Sequence, residues 1–384
     1  MRILFTCYPG FGHLHPMLPL ARAAVRAGHD VALATGPDVA PVAAAHGLEV
    51  WALGLTSGET VERYLERFPD NNELPPEERL RQVAPRMFVD VAARSRVAPL
   101  RDRARAWRAE LIVHDQSEFA APIVAAELGL ATVVHSWGPM MPAELLDLVA
   151  PAAVALAAEH GIGLDLAETV RASVYVDICP PSLQLPGGPP WRRGWIRRHA
   201  DPEPGADPEI AAALARLDRP ELVYATLGTV VNKLPGVFEA ILEAIVRAGV
   251  GAVVTVGEDV DPARLGTPPE HVLVERWIPQ ALVIPRCGAV VAHAGAGTLL
   301  GALAHGVPLV LLPHGAEQHL NAEAARRAGA ALVLAPEEAG ADAIAAALER
   351  VLREPGFRAA ALRLRDEIAA MPSADVALAG ITNR

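Results

Sequence analysis

The chain has 384 residues, 52% of them hydrophobic, and a formal net charge of −11. That length exceeds what one hydrophobic core comfortably holds, so two domains are expected. An acidic balance disfavours non-specific binding to nucleic acid or anionic membrane, and no run approaches the ~18 consecutive apolar residues of a membrane span.

Short apolar runs alternate with helical segments from the start. Arg2–Cys7 reads as a strand, and Pro16–Gly28 as a helix with proline in its first turn and glycine at its end. The apolar start is broken by Pro9, Gly10 and Gly12 and runs straight into this unit, so it is not read as a signal peptide and a cytoplasmic protein is expected. Asp30–Thr35 and Leu48–Leu53 are further strands, and Leu111–His114, Ala131–Val134 and Val174–Ile178 complete a parallel sheet. Strands alternating with helices in this way indicate a doubly wound α/β architecture. Between Leu55 and Arg108 the pattern loosens into polar Thr56–Pro76 and a long helical stretch carrying Met87, Phe88 and Trp107.

Cys179–Pro208 is dense in proline and glycine, shows neither period, and fits an interdomain linker. Its arginines Arg192, Arg193, Arg197 and Arg198 are read as solvated. The expected division is 1–190, a linker at 191–208, a second domain at 209–371, and a C-terminal segment at 372–384. Pro208–Leu217 and Pro235–Ala248 read as helices, and Leu222–Leu227, Ala252–Val256 and Val272–Glu275 as strands. Helices are expected again at Glu337–Glu354 and Gly356–Met371. Cys7, Cys179 and Cys287 are far apart, without metal spacing, and read as reduced thiols.

Two places are candidates for chemistry, although a lone loop histidine is more often structural or solvated. Gly10-Phe11-Gly12-His13-Leu14-His15-Pro16 joins the first strand to its helix, at the carboxyl edge of the sheet where crevices form. The nearby helix dipole disfavours an imidazolium there, which favours a neutral ring able to accept a proton. Asp115 follows the strand LIVH at the same kind of edge. It reads either as the group that orients such a base or as an N-cap for a Ser117–Leu128 helix. Ser117 lies close in sequence and receives no role.

The second place runs from Trp277 to Gln318. His293-Ala294-Gly295-Ala296-Gly297-Thr298 lies between a strand, GAVVA, and a helix, LLGALAHG. Glycines at such a turn let backbone N–H groups and the positive helix end approach an anion. Glycines alone suit a plain βα turn equally well. The company tips the balance: Trp277-x-Pro279-Gln280 upstream, PLVLLP downstream, then Glu317-Gln318. Asp259 and Asp261 have the spacing of a metal-binding pair but read as a solvated loop. His314 and His319 lack HExxH spacing, and no GxGxxG, Walker motif or nucleophile elbow appears.

Taken together, these motifs resemble the donor-binding signature of the UDP-glycosyltransferase superfamily, nucleotide-sugar-dependent enzymes of GT-B fold, and most of all its bacterial members that glycosylate natural products. The resemblance implies two Rossmann-like doubly wound parallel-sheet domains facing a central cleft, with the last helix, Ser373–Thr382, returning to the first domain. It implies that Trp277 stacks on the nucleotide base, that the Ile278 backbone meets the base edge, and that Gln280 lies near the ribose. His293, Gly295, Gly297 and Thr298 then meet the diphosphate, with Thr229 of the Gly228-Thr229 turn, and Glu317 and Gln318 hold the sugar. Gly12, His13 and Pro16 match Gly-His-x-x-Pro, which makes His13 the general base and Asp115 its orienting carboxylate.

Many members that use UDP-sugars carry a ribose-gripping glutamate where this chain has Gly301. A dTDP-deoxysugar, lacking the 2′-hydroxyl, is therefore the favoured donor over a UDP-sugar. The reaction implied is an inverting transfer to a hydroxyl of a hydrophobic aglycone, with no metal or other cofactor. Trp51, Phe88, Trp137, Met140 and Met141 are candidates to line the acceptor pocket; core packing explains any one of them equally well. A catalytically silent nucleotide-sugar-binding partner remains an alternative, distinguished by the absence of donor-dependent product. A sugar-nucleotide epimerase of related fold would turn over without acceptor. Aglycone, sugar and oligomeric state stay open, a homodimer included.

Overall fold

The computed structural model describes residues 1–74, 76–140, 143–184, 192–195, 208–217, 221–228, 235–258, 260–315 and 317–382. The chain forms two compact units. One is built on Met1–Ile178 and is rejoined by the strand Arg192–Trp195 and the helix Ala374–Thr382; the other runs on to Met371.

The first unit holds a seven-stranded sheet. In chain order its strands are β1 (Arg2–Thr6), β2 (Asp30–Thr35), β3 (Glu49–Ala52), β4 (Leu111–Asp115), β5 (Ala131–His135), β6 (Val174–Asp177) and β7 (Arg192–Trp195). Their spatial order is β3-β2-β1-β4-β5-β6-β7, and every pair is parallel. Ile3, Leu4 and Phe5 of β1 are fully buried, as a central strand covered on both faces requires, which is why such strands read as unbroken apolar runs. The second unit holds six parallel strands: β8 (Leu222–Thr226), β9 (Gly251–Thr255), β10 (Val272–Glu275), β11 (Ala289–Ala292), β12 (Leu309–Leu311) and β13 (Ala331–Val333). They are ordered β10-β9-β8-β11-β12-β13. Each unit is thus a Rossmann-like sheet with its own buried core.

Strand order decides where a site can form. In the first unit the chain runs outward from β1 to β3, then returns to the middle with β4. Loops leaving β1 and β4 therefore part to opposite faces and leave a crevice at their carboxyl ends. The same reversal separates β8 from β11 in the second unit.

Several boundaries differ from the sequence reading. The first helix begins at Phe11, not Pro16, with extended Gly10 as its N-cap, so His13 stands in its first turn. Pro16 and Pro19 are tolerated inside a helix buried along most of its length, where packing outweighs the lost backbone bonds. The expected Ser117–Leu128 helix begins at Ala120. Within the 191–208 segment read as linker, Arg192–Trp195 pairs with β6 as the sheet edge, where a strand satisfied on one side needs no apolar alternation. The rest of that segment, Arg197 and Arg198 included, falls outside the described residues. Residues 84–93 form a π-helix, Ala84–Ala93, a rare form that propensity does not signal. The helix Ala374–Thr382 lies against Phe11–Arg26, with Arg26 Nη2 2.9 Å from Asp375 Oδ1. No helix among the described residues is long and apolar enough to cross a membrane.

Candidate functional site

In the first unit the β1/β4 crevice brings His13 and Asp115 together. His13 Nδ1 stands 3.4 Å from Asp115 Oδ1, and the Asp115 side chain is 1% exposed. Asp115 does not cap the helix that follows. Its Oδ2 accepts the Tyr8 N–H at 2.7 Å and its Oδ1 the Ser117 N–H at 2.6 Å. Burial alone pushes this carboxyl up, but the His13 ring and these two N–H groups outweigh it and hold the pKa below its ordinary value. A carboxylate so held is ionised at neutral pH and favours the imidazole tautomer protonated on Nδ1, which leaves Nε2 as the proton acceptor.

The ring is also held by its neighbours. Its centroid lies 5.1 Å from that of Tyr8 and 5.4 Å from that of Trp137. A Cβ added at Gly10 would stand 3.0 Å from His13 Cδ2, a tight contact to which the ring would have to give way. Trp137 donates from Nε1 to Ser117 Oγ at 3.3 Å, and Phe88, on the π-helix, packs edge-on against Tyr8 with centroids 4.9 Å apart. His13 is therefore flanked by apolar, aromatic surface of the kind an aglycone would meet.

Not every residue expected at the acceptor lies there. Trp51 is 3% exposed; it packs edge-on against Trp107, lies under Arg103, and donates to Glu49 Oε1 at 2.8 Å. Its burial in the core cluster of the first unit makes it a packing residue. Met140 is buried in the same core cluster, and Met141 lies outside the described residues. Tyr8, whose N–H and ring hold both members of the pair, carried no signal in the sequence beyond its place two residues after β1.

In the second unit the β8/β11 crevice holds the histidine-glycine turn. The His293 ring lies between two backbones. An added Cβ would stand 2.6 Å from its Nε2 at Gly228, which has φ +76°, and 2.3 Å at Gly295. Burial lowers the His293 pKa to about 4, with the Thr226 carbonyl pulling the other way, so the ring is neutral at physiological pH. Ala294 adopts φ +66°, and its carbonyl accepts from Asn321 Nδ2 at 2.9 Å. Gly295 caps the helix Ala296–Ala304 without a side-chain bond, so the positive end of that helix opens towards the crevice; Gly297 and Thr298 occupy its first turn.

Around the turn, Trp277 is 50% exposed while Ile278 beside it is buried, an arrangement that leaves a large aromatic face open. Gln280 begins the short helix Gln280–Val283, and its Nε2 would lie 3.7 Å from a Cβ at Gly301. Gln318 is buried and its Oε1 accepts the His314 N–H at 2.8 Å. Glu317 precedes the helix Gln318–Arg327 as its N-cap. Thr229 and Asp259 fall outside the described residues. Among the described residues, no group of three or more His, Cys, Asp or Glu is placed to hold a metal ion.

The chain as a whole resembles a set of known proteins. Residues 22–190 match the family described as "Erythromycin biosynthesis protein CIII-like, N-terminal domain", and residues 239–380 its C-terminal domain. The chain is 31% identical to the L-demethylnoviosyl transferase of Streptomyces niveus, covering 99% of this chain and 97% of that protein. It is 33% identical to the elloramycin glycosyltransferase ElmGT of Streptomyces olivaceus, with coverages of 98% and 96%. Among solved structures, the spinosyn rhamnosyltransferase SpnG complexed with thymidine diphosphate superposes with a TM-score of 0.81 at 26% identity, covering 99% of this chain and 100% of that one.

Proposed function

The chain belongs to the erythromycin biosynthesis protein CIII-like family of bacterial natural-product glycosyltransferases, and from that premise we propose that it moves a deoxysugar from a dTDP donor to a hydroxyl of a hydrophobic natural-product aglycone, with inversion. The observation that carries this reading is the His13–Asp115 pair at the β1/β4 crevice. His13 takes the proton from the acceptor hydroxyl as it attacks the anomeric carbon. Asp115 holds the ring's tautomer and stabilises the imidazolium formed. The Tyr8, Trp137 and Phe88 rings give the aglycone an apolar seat.

The departing diphosphate is met by the Gly295–Thr298 turn and His293, with Trp277 stacking on the base and Glu317 and Gln318 holding the sugar. These fixed dipoles supply the charge stabilisation that a metal supplies elsewhere. The thymidine diphosphate in the similar SpnG structure and the transferase names of the relatives support this donor class. So does Gly301, which offers no side chain to a ribose 2′-hydroxyl. Mass spectrometry of the purified protein with dTDP-deoxysugars and a mixed aglycone panel tests the reading. A product formed only with donor and acceptor together is expected; donor turnover without acceptor would replace it with an isomerising or hydrolytic reaction.

A further inference from the structure

Beside His13 and Asp115, in the same unit, lies a buried ion pair that this chemistry does not use. Arg96 Nε stands 2.8 Å from Glu118 Oε2, each side chain 2% exposed. Arg96 Nη2 donates to Thr6 Oγ1 at 2.9 Å and to the Ala34 carbonyl at 3.1 Å, and Nη1 to the Leu53 carbonyl at 3.4 Å. One guanidinium therefore ties together the carboxyl ends of β1 and β2 and the residue after β3. Its route passes Gly54, where φ is +76° and an added Cβ would stand 2.5 Å from Arg96 Cγ. Glu118 holds the other side: its Oε1 accepts the Ala120 N–H at 3.0 Å, and its own N–H donates to the Asp115 carbonyl at 3.1 Å.

Stability explains this pair poorly, because apolar residues of equal volume usually serve as well as a buried ion pair. Its placement is more informative. Arg96 fixes the end of β1 just before Tyr8, and Glu118 fixes the loop that begins with Asp115. We propose that Arg96 and Glu118 are positioning residues for the His13–Asp115 pair: they set its geometry, and their opposed charges leave Asp115 in control of the field at His13. The inference rests on His13 being the base.

The titratable groups around Asp115 and Glu118 are His13, Cys7, Tyr8, His114 and His135, with Arg96 as the fixed cation. Burial pushes Cys7 and Tyr8 up to about 12 and His135 down to about 4, and it lowers His114. Burial also raises the Glu118 carboxyl, against the opposing pull of Arg96, and the acid limb of kcat/KM is taken as that of His13. Arginine keeps its charge at any working pH, so Glu118→Gln leaves an uncompensated cation in the buried group that includes Asp115. That cation should move the limb down by about one pH unit.

Four proteins test the inference: wild type, Glu118→Gln, the apolar double variant Arg96→Met/Glu118→Leu, and His13→Ala. The expected result is a lowered limb in Glu118→Gln. In the double variant, net charge is unchanged, so the limb should stay at the wild-type pH while kcat falls about tenfold at constant KM, the mark of misplaced groups. A limb unmoved in folded Glu118→Gln overturns the inference. So does wild-type kcat in the double variant, which decides the matter if Glu118→Gln fails to fold. Transfer retained by His13→Ala would instead show that the base assignment has failed. If His13→Ala is inactive but the limb stays put, only the positioning role is lost.

Discussion

Asn321 donates from its side-chain amide to the carbonyl of Ala294 at 2.9 Å, and Ala294 is held at φ +66°, a left-handed conformation that costs an alanine about 1–2 kcal/mol. The buried amide of one helix thus keeps the strained residue of the histidine-glycine turn in place. Asn321→Leu should destabilise the protein by about 1–3 kcal/mol and weaken thymidine diphosphate binding. Ala294→Gly should relieve the strain and raise the melting temperature. Thermal unfolding of both variants, with and without the nucleotide, checks the pair; equal nucleotide-induced shifts in wild type and Asn321→Leu would separate the strain from binding.

Glycine at 295 is a requirement of packing and not of conformation, since its φ is −61°. A methyl there would meet His293 Nε2 at 2.3 Å, and backbone on the other side leaves the ring little room. Gly295→Ala should displace His293 and lower nucleotide affinity at least tenfold, a loss of about 1.4 kcal/mol. Isothermal titration with thymidine diphosphate reads it directly.

Base recognition can be separated from stability because Trp277 is half exposed. Trp277→Ala should leave the melting temperature of the unliganded protein nearly unchanged while costing about 1–3 kcal/mol of nucleotide affinity. Gly301→Glu places a carboxylate beside Gln280, whose Nε2 would lie 3.7 Å from the new Cβ. It should improve UDP relative to TDP in a thermal-shift ranking. A wild-type preference for UDP would reverse the reading of Gly301.

Acid should destabilise the protein through identifiable groups. His135 is fully buried and its pKa falls from 6.5 to about 4. Between those values the unfolded chain binds the extra proton, so stability drops as pH falls through that window, by about 3 kcal/mol in total for this residue. The depressed Asp115 carboxyl acts at lower pH. Its contribution is present above the unfolded value of about 3.9 and is lost as pH falls through the folded one. Urea unfolding from pH 7 to 4 should show His135→Gln with the shallower slope. Asp115→Asn should keep the fold but lower kcat by about a thousandfold or more, through the wrong tautomer of His13.

The two sheets were legible in sequence because buried parallel strands such as Ile3–Phe5 and Val290–Val291 leave unbroken apolar runs. Of the motif glycines, Gly228 and Gly295 have a packing reason, since an added Cβ would stand 2.6 Å and 2.3 Å from His293 Nε2. The edges β3 and β10 were read from their apolar residues, but the other two of the four edge strands were not legible: Arg192–Trp195 and Ala331–Val333 pair on one side only. Nor were the supports of the candidate site. Tyr8 and Asn321 act through a backbone N–H and a side-chain amide whose partners lie far along the chain. Arg96 and Glu118 lie on a helix and a loop, and only the fold shows that they are buried. For Trp51 the sequence left acceptor lining and core packing equally open, and its surroundings are Trp107 and Arg103.

The central claim is that His13 accepts the proton of the attacking hydroxyl, and His13→Ala tests it most directly. Sugar transfer by wild type and variant should be followed by mass spectrometry, alongside the thermal shift given by thymidine diphosphate. The account predicts transfer reduced by at least a thousandfold with the nucleotide-induced shift intact. Transfer at a rate near that of wild type would contradict it.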